Sequence, residues 1–104
     1  MKYFLVFKTE PFITNMFNNN QYQILGKHDK VMLVSDKGKD IKLSEEEIQY
    51  ILSMACKQKI KGIVDITREI EFLISFKGTQ KEKIHQFSWM MRNCFTRALV
   101  KNEE

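Results

Sequence analysis

The side chains in this sequence whose types suit metal or nucleophile chemistry are Cys56, Cys94, His28 and His85, together with the pair Glu69 and Glu71. Local zinc signatures place Cys and His ligands a few residues apart. No two of these four stand so close, and no metal site is expected. A Cys–His couple needs thiol and imidazole within hydrogen-bond reach. Cys94 and His85 lie nine residues apart in a stretch of helical periodicity, which turns them about 180° from each other at about 100° per residue. Cys94 falls in that helix's apolar stripe and reads as a buried, inert thiol, and Cys56, at the edge of an earlier stripe, reads as structural too. Glu69 and Glu71 stand two apart in an alternating stretch, where a strand would hold both carboxylates on one face about 6–7 Å apart. That spacing suits acid–base work or a divalent cation, although a solvated sheet face is the simpler reading. Phosphate-cradling and nucleophile-elbow motifs are absent, and Gly26, Gly38, Gly62 and Gly78 read as turn punctuation. Catalytic residues and cofactors are therefore not expected, and the chain reads as a non-enzyme.

The end of the chain is more informative. Thr79 can cap a helix running to about residue 101, whose stripe of Ile84, Phe87, Met91, Cys94, Phe95 and Ala98 fills a sector of about 100°. Trp89, the sole tryptophan, projects about 160° from the centre of that stripe, among Gln86, Asn93, Thr96 and Arg97. Trp and Arg are favoured anchors of protein interfaces, so Trp89, Arg92, Asn93 and Arg97 form the candidate partner-binding set, for a foreign protein or for a homodimer through this helix. Lys81, His85 and Arg92 cluster within about 40°, and Lys77 joins them if the helix begins early. That ridge supports an alternative in which Trp89 stacks on a base while Lys77, Lys81, His85 and Arg92 meet phosphates. In a third reading the segment Phe12–Phe17 covers Trp89 within one molecule.

The elements that must position these residues follow from pattern. Lys2–Thr9 is a continuous run of β-branched and aromatic residues, the signature of a central strand buried on both faces. Pro11 breaks it, and Phe12, Ile13, Met16 and Phe17 fit a short helix before three asparagines. A meander of Gln21–Lys27, Lys30–Ser35 and Asp40–Leu43 follows, with turns at His28-Asp29 and at Asp36-Lys37-Gly38-Lys39. Ser44 with Glu47 forms a capping box opening a helix over about 45–60, with Ile48, Ile51, Leu52 and Ala55 inside and Lys57, Lys59 and Lys61 answering its dipole. Residues 63–77 fit a helix stripe of Ile63, Ile66, Ile70 and Leu73. The alternation of Val64, Ile66, Ile70, Phe72, Ile74 and Phe76 fits better, and a strand is expected. The predicted class is α+β: a mostly antiparallel sheet of about five strands on two main helices, the last long and basic.

The 104 residues are 43% apolar and 29% charged, which suits one domain spanning 1–104 that folds unaided. The longest N-terminal apolar run, Tyr3–Phe7, is too short for a signal-peptide core, and nothing is long enough to span a bilayer. With two distant cysteines, a reducing, cytoplasmic setting is expected. Net charge is +4, and residues 77–101 alone hold +5. In its size, its Lys/Asn/Ile-rich make-up and its lack of catalytic motifs, the chain resembles small accessory proteins of phages and other mobile elements of low-GC bacteria. That resemblance implies a regulatory protein that works by occluding something, here by docking on another protein, with a small basic nucleic-acid-binding protein as the alternative.

Overall fold

Tyr3–Phe7 forms β1 at the centre of the sheet because every residue of YFLVF but Phe4 is buried, and only a strand flanked on both edges and both faces accommodates that. The computed structural model describes residues 1–7, 21–38 and 40–103. The remaining strands are β2 (Tyr22–His28), β3 (Val31–Asp36) and β4 (Gly62–Asp65), and the helices are α1 (Glu45–Ala55), α2 (Thr67–Ser75) and α3 (Gln80–Glu103). The sheet is antiparallel throughout, in the order β2-β3-β1-β4. Leu5 pairs with Leu33 and with Val64, and Phe7 with Val31, so these side chains share one face. They join the main core with Ile48, Ile51 and Leu52 of α1, Ile70 and Leu73 of α2, and Phe87, Met91 and Phe95 of α3. The opposite face carries a smaller cluster of Val6, Met32 and Val34, with Phe4 and Tyr22 against it. The α+β class is as the pattern predicts.

The arrangement of strands differs from expectation in two places. Asp40–Leu43 is not a strand. Both edges of β3 are taken, by β2 and by β1, so the chain leaving β3 finds no free edge beside it and runs on to α1, putting Ile41 and Leu43 into the core. The second departure is residues 66–75, where a short β4 gives way to α2 instead of continuing as strand. Ile66, Ile70 and Leu73 are buried at helical spacing, and Leu73, which an alternating pattern would turn outward, is 3% exposed. Asp65 Oδ1 accepts from the Thr67 backbone N–H at 2.9 Å and starts the turn. The Thr67 hydroxyl accepts from Tyr3 N–H at 3.1 Å and ties α2 to β1. The expected short helix at Phe12–Phe17 lies outside the described residues.

α1 opens on the predicted box: Ser44 Oγ accepts from Glu47 N–H at 3.1 Å, and Glu47 Oε1 accepts from Ser44 N–H at 2.9 Å. Its buried residues are the predicted Ile48, Ile51, Leu52 and Ala55. It stops at Ala55, five residues short of expectation, and its last turn holds no basic residue. Dipole compensation decays within the last turn, so it does not account for Lys57, Lys59 and Lys61. Among the described residues no helix is long and apolar enough to cross a membrane.

Candidate interaction surface on the last helix

α3 is positioned from both ends. The Thr79 hydroxyl accepts from Glu82 N–H at 3.1 Å, the N-cap the sequence predicts, and fixes the start of the helix at Gln80. Lys77 therefore lies outside the helix and does not extend the ridge of Lys81, His85 and Arg92. Further along, Phe87 and Met91 at 0% exposure and Cys94 and Phe95 at about 5% lock one face onto the core. Phe95 meets Phe7 edge-on at 6.3 Å between ring centroids, and Tyr50 of α1 and Ser88 share a hydroxyl hydrogen bond.

With that face fixed, the helical period dictates what points outward. Trp89 is 55% exposed, Val100 likewise 55%, and Asn93 and Thr96 between them are also exposed. These four form one stripe along α3. The Arg92 guanidinium stands 5.9 Å from the centre of the Trp89 ring, a cation–π contact worth about 0.5–1 kcal/mol at an exposed site. The contact pairs the exposed ring with a cation on the same face of the helix. Arg92 also lines a groove of about 370 Å³ between α1 and α3 with Tyr50, Met54, Lys57, Phe95 and Leu99. Lys81 and His85 are exposed about two turns and one turn before Trp89, respectively. The structure thus brings Trp89, Arg92 and Asn93 together on one surface, with Lys81 and His85 beside them.

Arg97 is exposed as well, but it also acts inward. Where α2 crosses α3, Glu69 is buried at 6% exposure and accepts a hydrogen bond from the Cys94 thiol. Burial pushes the Glu69 carboxyl above the usual carboxylate range, an effect that the Cys94 hydrogen bond and the Arg97 charge reduce without reversing. Burial, and then the charge of Glu69, push the Cys94 thiol up to about 11. Cys94 is buried, as its place in the stripe implied, and its raised thiol faces Glu69 as a hydrogen-bond donor. Glu69 and Glu71 are separated by the helix: two residues apart in α2, they face about 200° apart, with Glu69 buried and Glu71 exposed. The helix thus removes the shared face on which a strand would have allowed an acid–base or cation pair, and equally the solvated sheet face that was the simpler reading. Sequence reasoning missed the buried Glu69. Its one signal was position, three residues after Ile66 and four before Leu73, on the inward stripe of a helix.

His28 and His85 lie far from both thiols in the sequence, and among the described residues no three His, Cys, Asp or Glu side chains converge to hold a metal. Comparison of the chain with protein-family models, with curated proteins and with solved structures gives no match.

Proposed function

We propose that the chain is a non-enzymatic binding or regulatory protein that docks on another protein, as an inhibitor of the phage or mobile-element type does, with Trp89 as the anchor. The observation that supports this is the exposed Trp89 ring paired with Arg92 on the outward stripe of α3. An aromatic ring beside a guanidinium is the residue combination that dominates interface energetics. Asn93, Thr96 and Val100 extend the contact along the helix, and Arg97 flanks it.

A second reading rests on the exposed ridge of Lys81, His85 and Arg92 beside the same ring, which would place phosphates next to a stacked base. Its weakness is number. Two phosphate contacts, from Lys81 and Arg92, give a salt slope of only about −2 in log K, against about −5 to −9 for proteins making 6–10 phosphate contacts. A protein partner uses the ring, the cation and the apolar Val100 together, and we favour it.

The test is an affinity capture from host lysate with wild type and with Trp89→Ala, each with and without nuclease. The protein reading predicts a partner that survives nuclease and that Trp89→Ala loses by about 30-fold or more, equivalent to about 2 kcal/mol or more for an anchor. A Trp89→Ala protein that keeps the partner at full affinity removes the anchor. A capture abolished by nuclease moves the reading to nucleic acid.

A further inference from the structure

Where the β2–β3 turn meets the chain leaving α1, a cavity of about 260 Å³ opens at the end of the sheet. Its floor is Phe7, Val31, Ala55 and Ile60, all buried and all apolar. Its rim, among the described residues, carries Lys30, Lys59 and Lys61 against a single acid, Asp29. Local backbone brings these charges to one place. Asp29 takes φ 54 in the two-residue turn and presents Lys30 at its outer corner. α1 ends at Ala55, and Gly62 takes φ +89 to enter β4, so Lys59 and Lys61 lie on the short stretch that wraps the cavity mouth. These lysines lie beyond the last turn of α1, and no ion pair between described residues holds Lys30 or Lys59.

An apolar floor selects a hydrocarbon body, and a rim of three lysines selects a negative head. We propose that this cavity binds a small amphipathic carboxylate, its short alkyl chain on Phe7, Val31, Ala55 and Ile60 and its carboxylate among Lys30, Lys59 and Lys61. The volume falls just below the roughly 300–1,000 Å³ of sites for drug-sized ligands, which restricts the occupant to a short chain. The cavity shares no residue with the outward stripe of α3, so the site stands or falls independently of the docking reading.

Cys56 supplies the reporter. Its half-buried thiol lines the cavity and donates to the Ser53 carbonyl at 3.3 Å, so an occupant shields it from an alkylating reagent. The experiment follows the rate of N-ethylmaleimide addition to Cys56 by peptide mass, with Cys94 read separately, in the presence of butyrate, pentanoate, hexanoate, 1-hexanol or hexylamine. Hexanoate is expected to protect Cys56 saturably. Affinity should rise about fourfold per added CH₂ along the carboxylate series until the cavity is full. The alcohol should bind more weakly and the amine more weakly still. Charge reversal of two exposed residues, Lys30→Glu with Lys59→Glu, should weaken hexanoate about tenfold with the circular dichroism spectrum unchanged, two exposed ion contacts having become repulsive. Three results overturn the proposal: hexanol protecting as well as hexanoate, no saturable protection at tens of millimolar, or charge reversal leaving hexanoate affinity unchanged.

Discussion

Replacing Gly26 by alanine sets two opposing effects against each other. Glycine within a strand is unfavourable by about 0.5–1 kcal/mol relative to alanine, so on backbone entropy alone the substitution stabilises. Gly26, however, sits in β2 directly under α1, beside the bulge that shifts the β2–β3 register between Ile24 and Gly26. A Cβ there would stand 2.8 Å from Ile48 Cγ2 and 3.0 Å from Leu52 Cδ1. Carbon atoms prefer about 3.5–4.0 Å, so both approaches are too close by about half an ångström or more. Ile48 cannot swing away, because its branched Cβ allows essentially one rotamer in a helix, and Leu52 is fully enclosed. Overpacking of this kind costs about 1–3 kcal/mol, which exceeds the entropic gain. We expect a net loss near 1 kcal/mol, a fall in Tm of about 4–8 °C for a chain of this size. Thermal melts should follow helical ellipticity, since Trp89 is exposed and its fluorescence reports folding poorly. The double-mutant cycle sharpens the test: in an Ile48→Ala background the nearer of the two clash partners is gone and Leu52 gains room to shift its terminal methyl, so the cost of Gly26→Ala should fall markedly. A Gly26→Ala protein at least as stable as wild type, or a cycle with no coupling, refutes the reasoning.

Further outcomes follow from the caps and from the buried acid. Ser44→Ala removes the acceptor for Glu47 N–H and should cost about 1 kcal/mol by denaturant midpoint, with the slope unchanged. Glu69 has a raised folded pKa, burial being the main cause, so its contribution to stability is fully present below the unfolded carboxyl value of about 4.3 and is lost as pH rises through the folded value. Glu69→Gln should therefore gain on wild type progressively as the pH rises above the unfolded carboxyl value in urea melts, whereas a difference independent of pH would show that Glu69 ionises as it does in the unfolded chain.

What could be read from sequence was what short-range rules decide. Ser44 and Glu47 specify the start of α1 on their own, Thr79 the start of α3, and the stripe from Ile84 to Ala98 the buried face that leaves Trp89 outside. Residues 66–75 satisfied both periods, and the tie turned on single residues. Leu73 had to be inside for a helix and outside for a strand, and Asp65 two residues before Thr67 was the turn signal that alternation masked. Asp40–Leu43 carries ordinary strand chemistry and fails only because β1 arrives at the edge of β3 from the far end of the sequence. Nothing local encodes that. The burial of Glu69 depends in the same way on where α2 crosses α3, and the cationic rim on a turn and a helix end that are neighbours only in the folded sheet.

The position of β1 also sets a timetable for synthesis. It is made first, yet its neighbours are β3 and β4, and β4 is translated about 55 residues later. At about 5–20 residues per second, that delay is roughly 3–11 s. Throughout it the run YFLVF waits with at least one edge unpaired, in the apolar, β-prone form with which neighbouring nascent chains can pair. Yield in the cell should therefore depend less on final stability than on elongation speed across residues 37–61, the stretch that separates β3 from β4.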